Sequence, residues 1–102
     1  MMKQLGSIEG QMKSMKEEIS KLTATGSSGA GLVEVTLNGD YQIISMKINP
    51  VIIDKNEQDT LEVLIQSAFN DATAKLKNNI EDYTKRKIAQ SGLASKIPGM
   101  KL

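Results

Sequence analysis

Apolar and polar residues alternate on both sides of an Asn-Gly pair, and this feature constrains the fold more than any other. The apolar members are Val33, Val35, Leu37, Ile44, Met46 and Ile48. A period of two is typical of β-strands, and Asn38-Gly39 favours a tight turn between antiparallel strands. A loop of two or four residues puts both apolar sets on one face, whereas three residues would separate them. The pattern therefore predicts a β-hairpin with one buried face.

A long helix is predicted on each side of this hairpin. In residues 1–24 the apolar positions are spaced alternately by four and three, at Met1, Leu5, Ile8, Met12, Met15, Ile19 and Leu22. Such a narrow heptad stripe indicates a helix that packs against another helix. Residues 55–90 also keep helical spacing, with a broad apolar face in the first half that suits contact with a sheet. A break near Asn78-Asn79 stays open as an alternative to one continuous helix.

The segments between these elements are rich in turn-forming residues. Residues 25–31 hold glycines in the order G-x-x-G-x-G between a helix and a strand, whereas a dinucleotide site needs G-x-G-x-x-G between a strand and a helix. We therefore predict a flexible joint there and no nucleotide site. Residues 51–53 allow a brief third strand, and residues 91–102 are predicted to form a flexible tail. The whole chain is predicted to be one α+β domain, with its sheet within residues 32–53.

The composition excludes most catalytic and metal chemistry. The chain has no cysteine and no histidine, so it lacks thiols, the commonest general base and the commonest metal ligand. The paired acids Glu17-Glu18 and Glu81-Asp82 are adjacent on predicted helices and do not face each other. We therefore expect no enzyme, no catalytic residue, no metal site, no cofactor and no small-molecule substrate.

Hydropathy indicates where the protein works. No run of about 18 apolar residues is present, so no membrane-spanning helix and no membrane partner are expected. The first residues contain no continuous apolar segment of the signal-peptide type. We therefore expect a cytoplasmic protein.

The small amount of bulky apolar material predicts self-association. The chain has 102 residues, of which only one Phe and two Tyr are aromatic, so a single copy builds a thin core. We predict a homodimer in which a second copy completes that core. The six alternating apolar residues of the hairpin are assigned to the dimer interface.

Charge is distributed unevenly along the chain. The net charge is only +1, but residues 26–74 hold two lysines and seven acids, whereas residues 75–102 hold seven basic residues and two acids. Such asymmetry indicates a polyanionic partner for the basic segment. The alternative for each basic residue taken alone is a solvated helix face. The candidate phosphate-binding residues are Lys13, Lys16, Lys21, Lys75, Lys77, Lys85, Arg86 and Lys87.

Three stretches occur in a fixed order across nearly the whole chain: GLVEVTLNGD…ISMKINP, LEVLIQSAFNDATAK and the final PGMKL. Residues 68–72 and 98–102 are the most distinctive parts. In this order and spacing the stretches resemble the YbaB/EbfC family of bacterial nucleoid-associated proteins. The resemblance implies a tweezer-shaped homodimer with a small central sheet and protruding helices. It also implies DNA binding in the nucleoid through helix surfaces, without identifying individual contact residues.

The charge pattern and the resemblance together favour one function and leave a second open. The favoured hypothesis is a homodimer that binds double-stranded DNA mainly through phosphate contacts, which carry little sequence information. Sequence preference should be modest, because Arg86 is the only arginine available for bidentate base recognition. The alternative is a non-enzymatic helical dimer that acts as a protein-interaction scaffold. Salt dependence separates the two, because phosphate binding weakens steeply with salt.

Overall fold

The computed structural model describes residues 2–91 of the chain, with side chains from residue 9 to residue 90. The elements are α1 (Met2–Ser20), β1 (Thr23–Ser28), β2 (Val33–Asn38), β3 (Ile43–Ile48), two short 3₁₀ turns (Pro50–Ile52 and Lys55–Glu57) and α2 (Gln58–Ser91). The three strands form one antiparallel sheet in the order β1-β2-β3. The α+β prediction is confirmed. The predicted tail lies outside the described residues, apart from its first residue at the end of α2.

The glycine-rich segment is a strand followed by a turn, so the prediction of a flexible joint was wrong for residues 25–28. Strand β1 pairs with β2 along its whole length. A Cβ atom at Gly26 would overlap the backbone of Ala68 and Ala72, so glycine lets α2 lie directly against the strand. Gly29 and Gly31 have positive φ values of 59° and 91° and form the turn into β2.

The third strand therefore precedes the hairpin. The segment that was expected to supply it instead forms the 3₁₀ turn Pro50–Ile52. The Asn49 side chain accepts a hydrogen bond from the Val51 N–H at 3.0 Å and caps this turn. Proline has no N–H to donate to a strand ladder, so it favours the turn over the sheet.

The sequence left a loop of two or four residues open for the hairpin, and the glycine of the observed loop has an unexpected role. Residues 39–42 connect β2 to β3, and a register shift lies between Thr36 and Leu37. The left-handed residue of the loop is Tyr41, with φ of 61°. Gly39 is buried, and a Cβ atom there would overlap the carbonyl of Ile19. Glycine is thus needed so that the end of α1 can lie on the loop, where the Gly39 N–H donates to the Ser20 carbonyl at 3.2 Å.

The core lies between α2 and the first two strands. The buried apolar side chains are Ala24, Val33, Val35, Leu37, Ala68, Ala72 and Leu76. Helix α2 lies along β1 and β2, and β3 keeps exposed apolar side chains. Ile43, Ile44 and Met46 are 49%, 54% and 41% exposed. One copy of the chain therefore covers only part of its own sheet.

Helix α2 is continuous, so the break near Asn78-Asn79 that the sequence left open as an alternative does not occur. Its 34 residues correspond to about 51 Å at 1.5 Å per residue. The molecule is accordingly elongated, with extents of 65 × 26 × 16 Å. Within the described residues, neither helix combines the length and the apolar character needed to cross a membrane.

Candidate nucleic-acid interface

The last three turns of α2 continue beyond the sheet and meet α1. The Asn79 side-chain amide donates to the Thr23 carbonyl at 3.3 Å. Thr23 is the first residue of β1, so α2 leaves the sheet at about Asn79. Farther along, Lys87 Nζ lies 3.6 Å from Glu18 Oε2 of α1. We call this end of the molecule, residues 9–20 of α1 with residues 80–90 of α2, the basic arm. Five of the eight candidate residues lie on it: Lys13, Lys16, Lys85, Arg86 and Lys87.

The three consecutive basic residues of α2 do not form one binding face. Successive helical residues are rotated by about 100°, so Lys85, Arg86 and Lys87 point in three directions. Lys87 is partly buried, pairs with Glu18 and lies 5.8 Å from the ring centroid of Tyr83. Its charge therefore helps to hold α1 against α2, whereas Lys85 and Arg86 are exposed.

Lys85 and Arg86 line a shallow surface depression together with Asp82. The depression has a volume of about 380 Å³ and is open to solvent. Arg86 Nε donates to the Asp82 carbonyl at 3.4 Å, which orients the guanidinium along the helix. Two cations beside one carboxylate leave a locally positive surface there.

The remaining candidates on α2 lie where the helix covers the sheet. Lys75 Nζ lies 2.9 Å from the carboxylate of Asp71, so its charge is compensated within the chain. The hydrogen bond from Lys75, followed by the one from the Ser27 N–H, lowers the pKa of Asp71 below its ordinary value of 3.8. Lys77 is exposed, and among residues 9–90 it takes part in no ion pair.

Helix α2 converts the charge asymmetry of the sequence into a separation in space. Its first half and the turn before it carry five acids and one lysine, Lys55. The acids are Asp54, Glu57, Asp59, Glu62 and Asp71. Its second half carries five basic residues with Glu81 and Asp82. Because the helix is continuous, the acidic end and the basic arm lie at opposite ends of about 51 Å of helix. The acidic end repels a polyanion. In the basic arm five basic residues are matched by five acids, at Glu9, Glu17, Glu18, Glu81 and Asp82, so attraction there comes from individual exposed cations that are in no ion pair among the described residues, such as Lys85 and Arg86.

The residues predicted for the dimer interface fall into two groups. Val33, Val35 and Leu37 are fully buried under α2 within a single copy, so they leave no surface for a second copy and belong to the core instead. Ile44 and Met46 are exposed, and Ile48 is partly buried against the core. Met46 lies opposite Val35 and Ile48 opposite Val33, whereas the register shift puts Ile43, not Ile44, opposite Leu37. The hairpin pattern could not show this shift or which strand α2 covers.

Three further apolar residues are exposed in the structure, and the sequence analysis did not assign them to the dimer interface. Ile43 lies at the start of β3, and Val51 and Ile53 follow the strand with exposures of 75% and 61%. The unbroken apolar run of residues 51–53 was a usable signal for Val51 and Ile53. The sequence allowed a brief third strand there, but in the structure the run forms a turn in which only Ile52 packs against the core.

No described group of acidic residues has the arrangement needed to hold a metal ion. The polar groups of the basic arm are instead lysines, one arginine and partly paired carboxylates. This set of side chains can bind anions by charge and hydrogen bonding.

The chain is similar to known proteins over most of its length. The YbaB/EbfC DNA-binding family matches residues 1–91 of the chain. A nucleoid-associated protein of Bartonella tribocorum is 39% identical over 100 residues, which cover 96% of this chain and 94% of that protein. A nucleoid-associated protein of Brucella ovis is 42% identical over 102 residues, covering 100% of this chain and 92% of that protein.

A solved structure has the same fold. It is an uncharacterized protein of Helicobacter pylori, with a TM-score of 0.68 and 19% sequence identity. The similarity covers 82% of this chain and 88% of that chain. At this level of identity the likeness concerns the fold alone.

Proposed function

Because the chain belongs to the YbaB/EbfC DNA-binding family, we propose that it binds double-stranded DNA as a homodimer in the bacterial nucleoid. The observation that carries the proposal is the separation of charge along α2, whose first half is acidic and whose second half carries five basic residues against Glu81 and Asp82. Phosphate contacts supply most of the affinity, because cations that neutralise phosphates release condensed counterions. Sequence preference is modest and follows DNA shape more than base contacts.

Lys85 and Arg86 are the primary contacts in this proposal. Both are exposed on the basic arm, and among the described side chains neither is in an ion pair. Lys21 and Lys77 are also exposed and add to the positive field. Lys75 and Lys87 contribute less, since Asp71 and Glu18 already compensate their charges.

The second copy docks on β3 in this proposal. The outer edge of β1 is occupied by α2 side chains, because Asp71 accepts from the Ser27 N–H and Asn79 donates to the Thr23 carbonyl. The exposed apolar residues are Ile43, Ile44, Met46, Val51 and Ile53. They belong to β3 or to the turn that follows it. An exposed apolar surface next to an open strand edge favours association.

Titration of duplex DNA at two salt concentrations tests the DNA-binding part. We expect affinity to fall steeply with salt, and the K85A/R86A variant to bind all duplexes more weakly. The slope of log affinity against log salt should decrease by roughly 0.9 for each phosphate that the variant no longer neutralises. The control is K55A, compared with K85A alone, because Lys55 is an exposed lysine outside both the basic arm and β3.

Two outcomes would contradict the proposal. If K85A/R86A binds like the wild type with the same slope, the assignment of these two residues is wrong. If wild-type binding to duplex DNA is absent at low salt, the scaffold function becomes the better explanation.

A further inference from the structure

An apolar groove lies between α1 and α2 in the basic arm. Its volume is about 470 Å³, and it is lined by Met12, Lys13, Met15, Lys16, Ile19 and Thr84. Met12 is 66% exposed, although it belongs to the heptad stripe that was predicted to pack on another helix. One copy therefore covers the stripe only in part. Methionine side chains are flexible and adapt to different apolar partners.

The rim of the groove is positively charged. Lys13 and Lys16 directly follow Met12 and Met15 on α1, and both are exposed. Over residues 9–90 neither lysine forms an ion pair, and Glu18 on the same helix is already paired with Lys87. The groove therefore suits an apolar side chain that is flanked by carboxylates.

The opposite end of the molecule presents such a group. Val63 is 58% exposed on α2, with Glu62 beside it and Asp59 one turn before it. Glu62 accepts a hydrogen bond from the Gln58 amide at 3.1 Å, and among described residues neither acid meets a cation. We call Asp59, Glu62 and Val63 the acidic ridge.

We propose that the acidic ridge of one copy docks in the apolar groove of another copy. Val63 enters between Met12 and Met15, and the two carboxylates of the ridge face Lys13 and Lys16. This is the geometry in which a helix lies in an apolar groove and charges on the rim set its orientation. It assigns Lys13 and Lys16 to a neighbouring copy and leaves Lys85 and Arg86 for DNA.

The occupant must be a second copy. Thr84 of the groove follows Val63 by 21 positions on α2, a distance of about 32 Å along the helix axis. A single copy therefore cannot bring its ridge to its own groove. The contact joins two different surfaces, so it closes into a pair or a ring or continues from copy to copy, depending on the rotation that relates the copies. It is also separate from the dimer surface on β3 and requires no DNA.

Charge reversal tests this contact in the absence of DNA. Light scattering of the full chain at low salt should detect species larger than a dimer, which grow with protein concentration and dissociate in high salt. The K13E/K16E and D59K/E62K variants should each remain dimeric. An equimolar mixture of the two should assemble again, because every groove then meets a ridge of opposite charge on the other variant.

The control is K55E/K77E, which makes the same charge change as K13E/K16E at two exposed lysines outside the groove and outside β3 and should assemble like the wild type. Far-UV circular dichroism verifies that each variant is folded. Failure of the wild type to exceed a dimer, or failure of the mixture to assemble, would overturn the proposal. Variants that assemble alone like the wild type would overturn it as well. Failure of the DNA titration would leave this result unaffected, so the two proposals fail separately.

Discussion

The carboxylate of Asp71 on α2 accepts a hydrogen bond from the backbone N–H of Ser27 at 3.0 Å. Ser27 lies on β1, an edge strand, where a donor that points away from the sheet would otherwise be open to another chain. The Asn79 amide makes the equivalent contact with the Thr23 carbonyl. Because α2 occupies this edge, the sheet is available to a partner mainly through β3.

Replacing Asp71 with Asn should make the stability of the protein less dependent on pH. The pKa of Asp71 is lowered by Lys75 first and by the Ser27 N–H second, so the folded state prefers the ionised carboxylate. Its contribution is therefore present above the ordinary value of 3.8 and is lost as pH falls through the lower folded value. Urea unfolding of both proteins should show a gap at neutral pH that closes in acid. A gap that widens in acid would contradict this.

Gly26 and Gly10 should respond to alanine in opposite directions. A Cβ atom at Gly26 overlaps the backbone of α2, so Gly26→Ala should destabilise the protein by about 1–3 kcal/mol. Gly10 is exposed within α1 and has no atom within 4 Å of the added Cβ, so Gly10→Ala should stabilise the helix by about 1 kcal/mol. Thermal unfolding measures both. Equal effects at the two sites would argue against the close contact of β1 with α2.

Substitutions of Val35 and Met46 by Asp should distinguish residues needed for folding from residues needed for dimerisation. Val35→Asp places a charge in the core and should abolish folding. Met46 lies on the exposed part of β3, so Met46→Asp should give a folded monomer. Sedimentation equilibrium with circular dichroism distinguishes the two outcomes. A Met46→Asp protein that stays dimeric would place the interface elsewhere.

Lys87 should contribute to the structure of the basic arm more than to DNA affinity. Its ion pair with Glu18 is partly exposed, so a double-mutant cycle with Glu18→Gln and Lys87→Gln should give a coupling of about 0.2–1 kcal/mol. Lys87→Gln should weaken DNA binding less than Lys85→Gln, its neighbour on the helix. If the two variants weaken binding equally, the pair with Glu18 opens readily and Lys87 contacts phosphate.

Local patterns were sufficient for the parts of the fold that depend on periodicity. The heptad spacing in α1, the alternation around Asn38-Gly39 and the helical spacing in α2 each express a repeat that the backbone geometry imposes on neighbouring residues. The uneven charge was also visible in the sequence, because a helix keeps the order of its residues along its axis. These features predicted an α+β chain with a basic end.

Contacts between distant residues decided the rest. The stretch Thr23–Ser28 has no apolar alternation, and it is a strand because β2 pairs with it and α2 packs on Ala24 and Gly26. Which half of the hairpin stays exposed depends on where α2 lies, so Val35 is buried while Met46 is not. Whether a lysine is available to a ligand depends on carboxylates elsewhere in the fold. Lys87 on α2, for example, is paired with Glu18 on α1. No repeat within a short segment can express such relationships, because they join residues that only the folded chain brings together.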